Sequence, residues 1–352
     1  MTTTPFKRCA LSIFSALLAT AFTMRVNAAD VATPAAAVAA SAARLTFDGN
    51  IRNNSLALSP DETTAVVSYS ERPDVVVYNL LTGAVRAVLR GYVTPRNIVF
   101  APDGKSFYVS DSSLGTVARI DSATLQAQDT IAAGPGAFGT ALSKDGSALY
   151  VNNQASSTVT RFDTATGQAR AVITGFAQPR QGVRLSPDGA VLYVTNFLGD
   201  KITLVDTATH QITGEITGFK MIRAISVSAD GKTLFAANSG SNNIAVVDIA
   251  KREILSTVPV GKDPYGAALT PDGRFVYAGN LGDNSVSVIA IPDNDVAPLK
   301  VVATISGFNQ PRQAIVFTRD GKTAYVLNVD LSISKVDRAT QQIVSTLSAS
   351  GG

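Results

Sequence analysis

Four arginines recur at one place in a repeated pattern, and their chemistry is the recognition of negative charge. They stand in Pro95-Arg96, Pro179-Arg180, Ile222-Arg223 and Pro311-Arg312, each seven or eight residues ahead of an Asp-Gly pair. A guanidinium presents a planar fork of donors that matches a carboxylate or a phosphate. A preceding proline fixes φ and holds the segment rigid. Two further units place Phe138 and Tyr265 at the same point, and the first unit offers Arg52 or Asn53 nearby. Asn97, Gln181 and Gln313 directly follow three of the arginines and add amide donors and acceptors. The expected roles are Arg96, Arg180, Arg223 and Arg312 as anion clamps, Phe138 and Tyr265 as stacking surfaces, and the three amides as polar contacts. Arg184, a little further along the fourth unit, is placed to reach inward as well. The competing role for each arginine is a link to a backbone carbonyl or to an acid of the neighbouring unit.

Other chemistries are largely excluded by composition. The chain has one Cys, one His and no Trp among 352 residues. That leaves no disulfide framework, no His/Cys metal cage and no Cys–His nucleophile pair, so neither metal nor cofactor is expected. No Gly-rich phosphate loop or nucleophile elbow is present. The repeated Asp-Gly aspartates read as turn residues: Asp caps a tight turn through its side chain and Gly accepts positive φ. Asp111 differs, because it takes a place where other units carry Asn, and it is the acid that a hydrolase reading would use. His210 falls in a turn at the Asp-Gly end, remote from the arginines, and is expected to be exposed. Phe176, Phe219, Phe308 and Tyr92 form a second aromatic register three or four residues before the arginine position. They are expected to wedge between units; base stacking is the alternative.

These residues need elements to position them, and the repeat supplies the elements. The turn aspartates are Asp61, Asp103, Asp145, Asp188, Asp230, Asp272 and Asp320, at spacings of 42, 42, 43, 42, 42 and 48. Eight residues after most of them a Tyr-Val-Thr-Asn-like strand ends at Asp111, Asn153, Asn196, Asn238, Asn280 and Asn328. A third run ends at Asp121, Asp163, Asp206 and Asp248, with Asp337 one residue early. Each unit reads as four short β-branched or aromatic runs separated by turn residues. In the fourth unit these are about 182–186, 191–196, 202–206 and 211–217. Seven such units predict an all-β, seven-bladed β-propeller with four antiparallel strands per blade, over residues 44–352. The 48-residue step marks extra residues around 291–300. The last unit supplies its own outer strand at about 342–347, and Arg44–Phe47 is expected to pair with the last blade and latch the ring. The segment ahead of each inner strand enters the central channel, so the arginines should ring its mouth.

The first residues are an address. Lys7 and Arg8 precede a 14-residue small or apolar run, Cys9–Phe22, and Val26-Asn27-Ala28 offers a small-residue cleavage site. This predicts a signal peptide over 1–28, export to a periplasm, and no membrane span after cleavage. Cleavage removes Lys7, Arg8 and Arg25 and leaves 27 basic against 27 acidic residues, so no global pull on nucleic acid remains. It also removes Cys9, and a thiol-free chain suits an oxidising compartment. Residues 29–43 are Ala-rich without apolar periodicity and read as a tether.

The combination of Ser-Pro-Asp-Gly, Tyr-Val-Thr-Asn and a third strand ending in Val-Asp resembles the YVTN-repeat β-propeller family, and among its members the exported YncE type. The resemblance spans about 50–348. It implies a periplasmic binding protein; some relatives are associated with single-stranded DNA, and other seven-bladed relatives are lactonases or carry redox cofactors. The expected function is therefore an exported, non-enzymatic propeller, a monomer, that binds an anionic ligand at the arginine mouth. That ligand is a single-stranded nucleic acid, an acidic peptide or an envelope glycan. The alternatives are a lactonase-like hydrolase using Asp111 and an envelope scaffold whose rim binds another protein.

Overall fold

The computed structural model describes residues 1, 29–32, 43–45, 52–293 and 298–349. The expected signal peptide, apart from Met1, lies outside the described residues. Seven sheets follow one another along the chain, each built from four consecutive antiparallel strands. In blade 4 the strands are Pro179–Leu185, Val191–Asn196, Ile202–Asp206 and Ile212–Ile216. The first strand of each blade lies innermost, and most first strands meet those of the neighbouring blades around the axis.

Burial explains the strand composition. The second strand is covered on both faces by adjacent blades and is apolar almost throughout, as in Val191–Asn196. The outermost strand is covered at one end only, and Ile212–Ile216 is largely exposed up to Ile216. Seven apolar clusters form the core, each bridging two neighbouring blades. Leu149, Val151 and Phe162 of blade 3 meet Tyr108, Val117 and Ile131 of blade 2, for example. Tyr92, Phe176, Phe219 and Phe308 are buried in four of these clusters, wedged between blades as expected.

The Asp-Gly turns join first and second strands. Asp188 accepts from Ser186 Oγ and from Ala190 N, while Gly189 takes φ +76°. The turns between third and fourth strands use an aspartate too. Asp206 accepts from Ala208 N, Thr209 N and Thr209 Oγ, and His210 completes the turn in the left-handed region at φ 59°. His210 is half-buried there, rather than exposed, with its Nε2 shielded from solvent. Both sets of turns share one end of the ring. The described flanks of the 291–300 stretch join the third and fourth strands of blade 6, at that same end, opposite the arginine segments.

Among the described residues the ring closes without a shared strand. Blade 7 takes Ile315–Phe317, Thr323–Leu327, Ile333–Asp337 and Gln342–Leu347 from the C-terminal end alone. Blade 1 takes Asn54–Leu58, Thr64–Tyr69, Val75–Asn79 and Val85–Arg90. A short strand, Ala29–Ala32, within the stretch read as a tether, adds to the outer edge of blade 1, parallel to Val85–Arg90. The expected latch at Arg44–Phe47 does not join the last blade in its described part: Arg44 pairs with Glu71 of blade 1 and Leu45 N donates to Ser113 Oγ of blade 2 at 2.8 Å. Thr46 and Phe47 lie outside the described residues. Closure comes from side chains instead. Tyr69, Val76 and Tyr78 pack on Leu327, Leu331 and Ile333, and Tyr78 Oη donates to Leu331 O at 2.7 Å. An apolar seam of this kind makes a latch strand dispensable.

Candidate functional site: an arginine-lined channel

The first strands carry the predicted side chains to one end of the channel, where they are sorted into two groups. Arg96 and Arg312 turn into the wall, 1 % and 4 % exposed. Arg96 donates from Nε to Ser112 Oγ at 2.8 Å and from Nη1 to Asn53 Oδ1 at 2.7 Å, and its guanidinium lies over the Phe138 ring, 4.4 Å from the centre. Arg312 donates to Arg52 O at 2.9 Å and stands 5.0 Å from the Tyr265 ring. These are the inter-blade links that compete with ligand binding, made through amide, carbonyl and ring. Arg180 and Arg223 line the channel cavity, as do Arg52 and Arg184, although Arg180 is itself only 6 % exposed. Arg180 stacks on Phe197 at 3.9 Å and Arg223 on Tyr265 at 4.4 Å.

The aromatic pair is committed to these cations. Phe138 is 2 % exposed and Arg96 covers its face, so the stacking surface expected of it is occupied. Tyr265 lies between Arg223 and Arg312. Each aromatic is followed by glycine. A Cβ at Gly139 would stand 2.9 Å from Arg180 O, and one at Gly266 2.8 Å from Arg312 O. The bare glycine lets the next blade's arginine strand come close.

The three amides do not stand free. Gln313 Nε2 donates to Gln181 Oε1 at 2.6 Å and to Asn54 O at 2.9 Å. Gln181 Nε2 donates to Asn54 O at 3.1 Å, and Asn97 Nδ2 to Thr140 Oγ1 at 2.8 Å. Blades 4 and 7 lie on opposite sides of the ring, so the glutamines bar part of the channel.

What remains is a cavity of about 180 Å³ lined by Arg52, Arg180, Arg184 and Arg223, with no Asp or Glu lining it among the described residues. Arg52 keeps a carboxylate outside it, Glu71 at 3.8 Å. Among the described residues no carboxylate lies within ion-pair distance of Arg184 or Arg223, and no cluster of His, Cys, Asp or Glu could hold a metal. Arg184 is open to channel water but ringed by protein, and that desolvation draws its guanidinium pKa down from the ordinary value.

Asp111 is fully buried, away from the cavity. Its Oδ2 accepts from Val93 N at 2.7 Å and Thr94 N at 3.0 Å, and its Oδ1 from Ser113 N and Leu114 N at 3.0 Å each. All four are backbone amides of loops, which gives it the work that Asn196 does in blade 4 by accepting from Ala177 N. Residues that the repeat did not single out also build the site. Phe197 and Ser112, each directly after the Asn or Asp that ends a second strand, hold Arg180 and Arg96. That shared register is the signal by which they could have been found.

Comparison with solved structures confirms the architecture. The hydrazine synthase of Kuenenia stuttgartiensis superposes with a TM-score of 0.74 at 20 % identity, over 81 % of this chain and 95 % of that one. A functionally unknown protein from Desulfotomaculum acetoxidans gives 0.62 at 19 % identity, over 69 % and 79 % of the two chains. The Cps50 (Swd1) propeller domain of Myceliophteria thermophila gives 0.63 at 17 %, over 73 % and 86 %. At such identities the likeness is one of fold. A search of curated protein sequences finds no match. Residues 106–352, from the second strand of blade 2 onward, match the YNCE-like beta-propeller family, and with seven four-stranded blades in that register the chain belongs to it.

Proposed function

We propose that this protein is an exported, non-enzymatic propeller that binds an anionic ligand in its arginine-lined channel. The supporting observation is a cavity lined by four arginines with no carboxylate lining it among the described residues. Cations gathered in a concave, partly apolar wall focus positive potential even when the whole chain is near neutral. Export rests on the signal-like order of residues 1–28, and a periplasmic location follows from it. The hydrolase alternative loses its acid, since Asp111 is engaged by four backbone amides.

The test is binding of anionic probes across a salt series, in the parent and in Arg52→Ala/Arg223→Ala. Both side chains line the cavity, and neither is fully buried. The reading predicts affinity that falls steeply with salt and drops at least tenfold in the double variant. Binding that ignores both salt and substitution would refute it.

A further inference from the structure

Arg184 is out of character with its ring. Four residues ahead of the turn aspartate, the other blades carry Ala57, Val99, Ala141, Ser226, Ala268 and Val316. Blade 4 alone places a charge there. The inner-strand alternation turns this register toward the channel, and Val99, Arg184 and Val316 all line the cavity. The hydrogen bond recorded for the guanidinium is to a backbone carbonyl, Val183 O at 2.8 Å. A cation within a small apolar collar has lost part of its hydration and meets no counter-charge among the described residues, and an anion would supply both.

The cavity's volume favours a small occupant. The cavity measures about 180 Å³. It falls short of the ~300 Å³ at which drug-sized ligand pockets begin. The glutamine bar narrows the passage, and the Phe138 face that a base would need is covered by Arg96.

We propose that Arg184 is the residue that holds the anion, and that the ligand is a compact oxyanion, a carboxylate or phosphate group on a molecule of a few heavy atoms, instead of a nucleic acid strand. This rests on the reading of the channel as an anion site and names its occupant. Arg180 and Arg223 draw the anion in at the mouth, and Arg184 forks onto it within the collar.

The experiment is calorimetric titration of the protein with inorganic phosphate, succinate and a single-stranded oligothymidylate, in the parent, Arg184→Ala, Arg184→Lys, Arg223→Ala and Arg170→Ala. Arg170 is exposed on the outer strand of blade 3 and removes the same charge far from the channel. The expected result is binding of phosphate or succinate by the parent, weakened at least tenfold in Arg184→Ala, partly restored in Arg184→Lys, and unaltered in Arg170→Ala. Arg223→Ala should lose less affinity than Arg184→Ala. Which of the two probes binds settles carboxylate against phosphate. Since Arg184 is open to the lumen, its truncation should leave the unliganded melting temperature unchanged or raised. Small-anion binding that survives in Arg184→Ala and vanishes in Arg223→Ala would overturn this proposal and leave the anion channel standing. Oligothymidylate binding without small-anion binding would overturn it in favour of a nucleic acid. No binding of any probe would overturn both.

Discussion

The side-chain amide of Gln313 donates to that of Gln181 at 2.6 Å, joining blade 7 to blade 4 across the channel. Both also donate to Asn54 O of blade 1. Three blades distant in sequence are therefore coupled at the axis by neutral amides, which tolerate the neighbouring guanidiniums where charged groups would repel or neutralise them.

That bond should be measurable as an energetic coupling. Gln181→Ala and Gln313→Ala should each cost about 1 kcal/mol, the net value of an intramolecular hydrogen bond. A double-mutant cycle by denaturant unfolding should show a coupling of at least ~0.5 kcal/mol. Strict additivity would mean that the two amides act independently.

Asp111→Asn tests whether that acid is structural. Asparagine offers one acceptor oxygen where two oxygens now receive four backbone N–H groups, so its NH2 would face two donors. Buried donors left unpaired cost ~1–3 kcal/mol, and more where the lost bonds are to a charge. The variant should unfold at lower denaturant with its anion binding intact. A variant as stable as the parent would show that the loops hold without the carboxylate.

The turn aspartates set the acid limit. Hydrogen bonds from Ser143 Oγ, Ser147 N and Ser147 Oγ hold the Asp145 carboxyl down at about 2, and the same kind of bonding lowers Asp121, Asp163, Asp188, Asp206, Asp230 and Asp320. An unfolded aspartate titrates near ~4, so the folded state binds fewer protons between the two values. The stability this gives is complete above pH ~4 and is lost as pH falls toward 2. Melting temperature should be flat from neutral down to pH ~4 and fall steeply below it, and Asp145→Asn should make the fall shallower. A decline that begins near neutrality would point to other groups.

Much of this architecture could be read from the chain. The turn aspartates fixed blade number and phase, and within blade 4 the runs 191–196 and 202–206 match the observed strands residue for residue. Closure was harder to read. A latch strand leaves the same β-branched trace whether or not it pairs, and here an apolar seam between Tyr78 and Leu331 seals the ring. The site was legible as a position but not as a set of orientations. Arg96 and Arg223 share a register, yet one turns into the wall toward Asn53 and the other lines the cavity, because the first blade alone offers an amide there. Such differences depend on the neighbouring blade, some 42 residues away in sequence, and local pattern does not carry them.

The most direct measurement is a crystal grown free of oxyanions and soaked in millimolar selenate, with anomalous scattering recorded at the selenium edge. An anion-binding channel predicts a selenium peak inside the cavity, within hydrogen-bond distance of the Arg184 guanidinium and near Arg180 or Arg223. Selenium peaks confined to the outer rim, with water alone in the channel, would contradict it.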